Sequence, residues 1–196
     1  MLALKEEPVI TTDEMYTYED YLSWDEDFRA EIIDGKLYMM STPTTNHQRV
    51  LTEFLVQLHA FLKDKPCQVF PAPFSVRLEP EEKRKNKKDN IIVEPDIVVI
   101  CDKSKIDKNG CNGAPDFVIE ILSPSTVRKD TVIKLNKYLN AGVREYWLAE
   151  PESKTVMVCV LENGKYVFSS YDDTGDAPVS VLPGCKIDLK SVFAEN

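Results

Sequence analysis

The sequence predicts a mixed α+β (α/β) domain, and two patterns support this prediction. Short apolar runs rich in valine and isoleucine recur from residue 30 to residue 171, which is typical of strands. The segments 45–63 and 126–140 instead carry apolar residues at steps of three and four, which predicts two long helices among the strands. With 196 residues and 43% hydrophobic content, the chain is large enough for one domain with a full core.

Residues 1–10 are predicted to form a flexible N-terminal arm, followed by a single domain over residues 11–196. The segment TTDE at 11–14 has the spacing of a capping box and predicts a short helix through Met15, Tyr18 and Leu22. The first residues lack a basic region and a sustained apolar stretch, so we expect no signal peptide. No segment approaches the apolar length of a membrane span.

The segment RAEIIDGKLYMM predicts a hairpin in which Asp34-Gly35 forms the tight turn. Glu31 lies in its first arm, on the same face as Ile33. One interpretation makes Glu31 an exposed charge on an edge strand, since most acidic side chains are solvated. The other makes it a third carboxylate near a metal site.

The helix over residues 45–63 has an apolar face formed by residues such as Val50, Phe54 and Leu58. Its two histidines, His47 and His59, are twelve positions apart, a spacing that does not form a metal pair. His47 lies in the first turn, where it either has a structural role or hydrogen-bonds a substrate or a carboxylate.

Residues 67–78 predict a strand with prolines at a bend or an edge. The segment EEKRKNKKDN that follows residue 80 holds five basic side chains, and it predicts either a solvated hairpin loop or a flexible contact to phosphates. A strand over residues 91–100 carries Asp96. A polar loop over residues 101–114 then leads to a strand over residues 116–122.

Three carboxylates lie in these last two strands. Side chains alternate along a strand, so Asp116, Val118 and Glu120 share one face. An acidic residue inside a run such as FVIEIL is costly to bury without a partner. On neighbouring strands, Asp96 and Glu120 would place two hard oxygen ligands side by side, which suits a divalent cation such as magnesium.

The helix that follows is predicted to be capped by Ser125 or Thr126 and to end at Gly142. Lys134 lies one turn after Asp130. It either pairs with Asp130 on a solvated face or points toward the carboxylates at the strand ends. The predicted apolar stripe of this helix consists of Val132, Leu135 and Leu139, with Tyr138 at its margin.

Further strands are predicted over residues 144–149, 154–161 and 165–171, with an Asn163-Gly164 turn between the last two. The tail predicts one short strand and a final turn of helix. Five cysteines, an odd number without a CxxC spacing, argue against a zinc cluster or a disulfide framework. We therefore expect a reducing, cytoplasmic location.

The net charge of −9 is concentrated at the amino terminus. The first 31 residues hold ten acidic and two basic side chains, a net of −8, so the remaining residues are close to neutral. That larger part of the chain can therefore present a local basic face to a polyanion.

Several of these features together resemble one family. Pro95-Asp96, Glu120 within DFVIEILSPST, Lys134 and the AGVREYW segment occur in the same order as in the Uma-type "putative restriction endonuclease" family, which lies in the PD-(D/E)XK nuclease-like superfamily. The resemblance covers roughly residues 14–160. It implies a restriction-endonuclease-like fold, in which a central mixed sheet is flanked by helices, with an added N-terminal helix and hairpin.

By this resemblance, Asp96 and Glu120 would bind Mg²⁺ or Mn²⁺, and the carbonyl of Ile121 would be a further ligand. The metal would polarise a phosphoryl oxygen and lower the pKa of a bound water. The superfamily pattern has a lysine two residues after Glu120, where this chain has Leu122. Lys134 matches the substitute position on the next helix, from which it would orient the water or stabilise negative charge.

Glu31 also matches a family acid, which implies a catalytic role close to the metal, whereas Asp116 lies at the strand entrance and ranks below Glu120. The implied activity is metal-dependent hydrolysis of DNA phosphodiester bonds. A homodimer is expected, because cutting both strands of a duplex generally needs two sites. The candidate substrate-binding residues are His47, Ser123, Ser125, Arg128, Lys129 and Lys137.

Two other functions stay open. The missing lysine at position 122 and the overall acidity are compatible with a catalytically inactive nuclease-fold module that binds nucleic acid or protein. Nothing in the sequence excludes a nuclease that acts on RNA or on a short nucleotide.

Overall fold

The computed structural model describes residues 9–10, 14–25, 28–78 and 90–194, and it has the predicted mixed α+β architecture. The strands of the described residues are, in chain order, β1 (Val9–Ile10), β2 (Ala30–Ile33), β3 (Lys36–Met39), β4 (Gln68–Pro71), β5 (Val76–Arg77), β6 (Ile91–Val93), β7 (Ile97–Ile100), β8 (Ile106–Asp107), β9 (Gly110–Asn112), β10 (Phe117–Ile121), β11 (Glu145–Glu150), β12 (Thr155–Glu162), β13 (Lys165–Asp172), β14 (Asp176–Pro178) and β15 (Lys186–Asp188).

The helices of the same residues are α1 (Tyr18–Ser23), α2 (Thr45–Leu62), α3 (Leu135–Ala141) and α4 (Leu189–Val192), with a 3₁₀ turn over Lys103–Lys105 and a π-helical segment over Lys129–Lys134 directly before α3. None of these helices has the length and apolar content needed to cross a bilayer.

The strands form two larger mixed sheets and a small one. The first larger sheet has the order β1-β3-β2-β6-β5-β9-β8, and the second has the order β13-β12-β11-β10-β7-β4. In the first sheet β5 and β9 are parallel, and in the second β10 and β11 are parallel, while the other pairs are antiparallel. The small sheet pairs β14 with β15, where the sequence predicted one strand in the tail.

Two segments that the sequence predicted as single strands are each divided between the two larger sheets. Residues 67–78 form β4 in the second sheet and β5 in the first, and residues 91–100 form β6 in the first and β7 in the second. Prolines lie at both crossings, and proline cannot donate a hydrogen bond to a strand ladder. The second crossing, Glu94-Pro95-Asp96, places Asp96 between the sheets.

The inner strands of the second sheet, β7, β10 and β11, are covered on both faces. On one face α2, α4 and the small sheet pack against residues such as Phe117, Ile119 and Trp147. The opposite face packs against the first sheet and α3, and it includes Val118 and Leu122. This alternation confirms the predicted facing of β10, and it turns the intervening Glu120 toward α3.

The local predictions that depended on turn chemistry are confirmed. Asp34-Gly35 and Asn163-Gly164 both have positive φ angles and join antiparallel neighbours, as two-residue hairpin turns require. Helix α2 begins after Thr44, whose side chain accepts a hydrogen bond from the His47 N–H.

The N-terminal helix starts later than predicted. Helix α1 begins at Tyr18, and Asp20 accepts hydrogen bonds from the N–H and the hydroxyl of Thr17 at 2.7 Å. The predicted capping box at 11–14 lies outside the described residues, apart from Glu14, which is not helical. At the end of the predicted arm, β1 pairs with β3, and residues 1–8 are outside the described part.

Three further predictions concern the cysteines, the polar loop and the basic segment. Cys67 and Cys101 form one disulfide, although the cysteine count argued against a disulfide framework. The antiparallel pairing of β4 with β7 brings the residues flanking Gln68 and Ile100 together. The predicted polar loop at 101–114 contains the hairpin of β8 and β9. The basic segment after residue 80 lies outside the described residues, except for Asn90.

The helix before Gly142 departs from the predicted apolar stripe. Val132 is 53% exposed, while Tyr138 is fully buried. The buried face also contains Lys129, Asp130 and Lys134. The π-helical segment rotates charged residues toward the sheets and turns Val132 outward.

We predict that Phe54→Ala lowers the free energy of unfolding by about 3–5 kcal/mol, because it leaves a cavity in a closed core. Phe54 is fully buried in α2, with its ring centroid 6.2 Å from that of Trp147. Urea unfolding measures the change. The matched control on the same helix is Val56→Ala, whose side chain is 57% exposed. Equal stability losses in the two variants would contradict the packing described above.

Candidate active site

Asp96 lies where the chain crosses between the two larger sheets, beside the end of β10. Its Oδ2 accepts a hydrogen bond from the N–H of Ile121 at 2.7 Å and lies 3.2 Å from His47 Nε2. The side chain is 18% exposed. These contacts fix the Asp96 carboxylate next to the residue that follows Glu120. They also favour the carboxylate-binding interpretation of His47 over a role confined to the helix start.

Glu120 lies on the face of β10 that is turned toward α3, and its carboxylate is buried. Its Oε1 accepts hydrogen bonds from Lys134 Nζ at 2.5 Å and from the Tyr138 hydroxyl at 2.8 Å. Both partners come from one helix. The structure therefore brings together Glu120 and Lys134, as the second interpretation of Lys134 required.

Glu31 is 1% exposed, so its interpretation as an edge-strand charge in water is wrong. The reason is that β2 lies between β3 and β6 inside the first sheet. Glu31 Oε1 is 2.7 Å from Lys134 Nζ and accepts the Glu94 N–H at 2.9 Å, while Oε2 is 2.8 Å from Lys129 Nζ. The carboxylate is thus neutralised by two ammonium groups.

Lys134 is 2% exposed, which rules out its pairing with Asp130 on a solvated face. Its ammonium lies within 2.7 Å of both Glu120 and Glu31, and 3.7 Å from Asp130 Oδ1. Asp130 is also buried, so the cluster contains three carboxylates and two lysines. We refer to Glu31, Glu120, Lys129, Asp130 and Lys134 as the ionic cluster.

The charges of the ionic cluster shift one another's pKa values. Burial opposes ionisation of Glu31, but Lys129 and Lys134 outweigh it and lower the pKa of Glu31 to about 2. Burial disfavours a charged Lys134, yet Glu120 and Glu31 hold its pKa well above the ordinary value. Burial raises the pKa of Asp130 to about 6, and it raises the pKa of Glu120 against the opposing effect of Lys134. Lys134 therefore stays cationic at neutral pH.

Two tyrosines of the site were not predicted from the sequence. The rings of Tyr138 and Tyr146 are 4.8 Å apart, and the Tyr146 hydroxyl donates to the carbonyl of Asp130. Tyr138 lies four positions after Lys134, and this spacing was the available signal for its contact with Glu120. From the sequence, Tyr138 was predicted only at the margin of an apolar stripe.

Of the predicted substrate-binding residues, Ser123 and Ser125 lie in the turn after β10, with their hydroxyl oxygens 3.0 Å apart. Arg128 is exposed at the start of the next helix. Lys137 pairs with Asp34 at 2.6 Å, and the predicted substrate lysine Lys129 pairs with Glu31, as described above. The serines and Arg128 therefore lie closest in sequence to the candidate catalytic strand.

Asp116 does not join the ionic cluster. Its Oδ1 accepts a hydrogen bond from Arg144 at 3.0 Å, and its Oδ2 accepts the Cys101 N–H at 2.7 Å. This arrangement holds β7, β10 and the start of β11 together. The contacts of Asp116 are therefore with Arg144 and Cys101, outside the ionic cluster.

The donor atoms near Asp96 suit a hard cation that keeps part of its water shell. Among the described residues, no group of three or more His, Cys, Asp and Glu side chains forms a metal site. The hydrogen bonds of Asp96 fall on Oδ2 and those of Glu120 on Oε1, so each carboxylate has a second oxygen for a ligand role. Magnesium usually takes one or two protein carboxylates together with water, so this pair fits such an ion.

Comparisons with known proteins identify the family and the fold of the chain. The family model Uma2, described as "Putative restriction endonuclease", matches residues 18–190. The crystal structure of "a putative nuclease belonging to DUF820" from Anabaena variabilis ATCC 29413 has a TM-score of 0.72, with 23% identity, over 91% of this chain and 97% of that chain. This likeness shows a shared fold.

An uncharacterized protein of Synechocystis sp. (strain ATCC 27184 / PCC 6803 / Kazusa), slr1290, is 25% identical over 138 residues. The alignment covers 69% of this chain and 68% of that protein. The Uma2 match spans nearly all of the described domain, from α1 into α4. The chain therefore belongs to the Uma2 family, whose members are described as putative restriction endonucleases.

Proposed function

We propose that this protein is an endonuclease that uses Mg²⁺ or Mn²⁺ to hydrolyse phosphodiester bonds in DNA. The observation that carries the proposal is the 2.5 Å contact between Lys134 Nζ and Glu120 Oε1 at the end of β10, next to Asp96. Membership of the Uma2 family supports a nuclease. The DNA substrate is inferred from the family resemblance, and the metal and the residue roles are inferred from the site.

Lys134 supplies, from the helix, the ammonium group that the strand lacks at position 122. Leu122, at the position where the superfamily pattern has lysine, is packed against the core on the face covered by α3. The ammonium arrives instead from the adjacent helix, since a lysine side chain is long enough to reach the strand end. The same chemical group is thus present beside Glu120 although its place in the sequence differs.

Asp96 and Glu120 would hold the metal, with the carbonyl of Ile121 as a further ligand. When bound, the ion would supply Lewis-acid polarisation of a phosphoryl oxygen. Lys134 would stabilise the negative charge that develops on the phosphate or orient the attacking water. His47, in contact with Asp96 Oδ2, fixes the orientation of that carboxylate.

Substrate phosphates would be bound by the turn after β10 and by the basic helix that follows it. Ser123 and Ser125 offer hydroxyl donors there, and Arg128 offers an exposed cation. Hydrogen bonds and positive charge of this kind bind the backbone of nucleic acid without reading sequence. A homodimer, with one site for each strand of a duplex, completes the proposal.

One observation favours the alternative of an inactive binding module. Lys134 bridges Glu120 and Glu31 in a nearly closed site, and such an ion pair can be purely structural. Metal-dependent cleavage distinguishes the two functions, because an inactive module would bind nucleic acid and leave it intact.

We predict that Asp96→Asn abolishes Mg²⁺-dependent cleavage of plasmid DNA, because an amide is a poor ligand for magnesium compared with a carboxylate. The matched control is Asp116→Asn, which alters the second Pro-Asp pair of the chain. Asp116 contacts Arg144 and Cys101 and lies outside the ionic cluster. The purified, folded variant should therefore cleave within about threefold of the wild type. Equal cleavage by Asp96→Asn and the wild type would contradict the assignment.

We predict that Lys134→Met lowers the cleavage rate by about 100-fold or more, because it removes a positive charge that stabilises the transition state. It should also lower the free energy of unfolding by about 3–5 kcal/mol, since Glu120 and Glu31 then lack their shared cation. Gel assays of plasmid cleavage and urea unfolding measure the two effects. Lys190→Met, at an exposed lysine of α4, should change neither quantity. If Lys134→Met cleaved DNA at the wild-type rate, the catalytic role of Lys134 would be refuted.

A further inference from the structure

The π-helical segment before α3 directs two lysines to one carboxylate. Lys129 and Lys134 are five positions apart, and in an α-helix of about 3.6 residues per turn such side chains point about 140° away from each other. The π-helix closes its turn between residues five apart, as in the hydrogen bond from the Leu135 N–H to the carbonyl of Asp130. Both lysines can therefore face Glu31.

The contacts of Glu31 occupy both of its oxygens. Oε1 receives Lys134 Nζ at 2.7 Å and the Glu94 N–H at 2.9 Å, and Oε2 lies 2.8 Å from Lys129 Nζ. The side chain is buried in the middle of the first sheet. A metal ligand at this position would have to give up an ammonium partner, whereas Asp96 Oδ1 and Glu120 Oε2 lie outside the hydrogen bonds and ion pairs of those carboxylates.

We propose that Glu31 is a positioning residue that holds the ammonium groups of Lys129 and Lys134 at the candidate active site and takes no part in metal binding. This role rests on the proposed nuclease function and replaces the metal-proximal role that the family resemblance implied for Glu31. Lys134 then acts on the substrate from a position that Glu31 fixes. Lys129 supplies a second positive charge on the same side.

The position of Glu31 affects how the Lys134 ammonium responds to a nearby cation. Lys134 also contacts Glu120, and a cation arriving at Glu120 would repel it. Glu31 provides an anion that would remain with the lysine if Glu120 held a metal ion. The ammonium would thereby stay beside the bound phosphate.

The test compares Glu31→Gln with the wild type in the full-length chain, using Mn²⁺ alone as the metal probe. Calorimetry should give an Mn²⁺ dissociation constant within about threefold of the wild type, because Asp96 and Glu120 are intact. Plasmid cleavage should fall by about tenfold or more, because Lys134 loses its anchor. Spectra correlating ¹H and ¹⁵N of lysine ammonium groups should show the wild-type signals of Lys129 and Lys134 shifted or lost.

The matched control is Asp34→Asn in the same hairpin. Asp34 pairs with Lys137 at 2.6 Å, but that pair is more exposed, and the variant should leave Mn²⁺ affinity and the ammonium signals of Lys129 and Lys134 unchanged. Loss of Mn²⁺ binding in Glu31→Gln, to the extent seen in Glu120→Gln, would overturn the positioning role. Unchanged ammonium signals in Glu31→Gln would also overturn it.

A second variant covers the case in which Glu31→Gln does not fold. Lys129→Gln removes one cation and keeps Glu31 paired with Lys134, so Mn²⁺ affinity should stay within about threefold. A Glu31 that binds the metal would instead gain affinity on losing a competing cation, and a tightening of about tenfold would overturn the proposal. If the wild type fails to cleave with any metal, the nuclease function fails, while the ammonium signals still decide the role of Glu31.

Discussion

The buried ammonium of Lys134 is the constraint on which the rest of the site depends. It lies between Glu31 on β2 and Glu120 on β10, so a single charge connects the two larger sheets with the helix before Gly142. Each carboxylate would be costly to bury without this partner. The position of the helix, the central place of β2 and the π-helical turn all serve to bring these three groups together.

The parts of the site that follow from local sequence were predictable. Strand alternation placed Glu120 opposite the face of Phe117 and Ile119, and the structure confirms that facing. The tight turn at Asp34-Gly35 followed from turn chemistry. The approach of Lys134 to Glu120 was one of two open interpretations, and the order of motifs in the family resemblance favoured it.

The remaining features depend on contacts between distant segments. The burial of Glu31 results from the pairing of β2 with β6, which lies about sixty residues away and leaves no local signal. The division of two predicted strands between sheets has the same origin, although the prolines marked where it could occur. The π-helical segment was hidden because Val132, Leu135 and Leu139 also fit an ordinary helical stripe.

We propose that Asp96 and Glu120 share one metal ion beside the Lys134 ammonium. Anomalous scattering from a crystal of the protein soaked in Mn²⁺ would locate this ion. We expect one strong peak within about 2.0–2.4 Å of an oxygen from each carboxylate. Two ordered carboxylates without an ion between them, in a crystal with Mn²⁺ bound elsewhere, would contradict it.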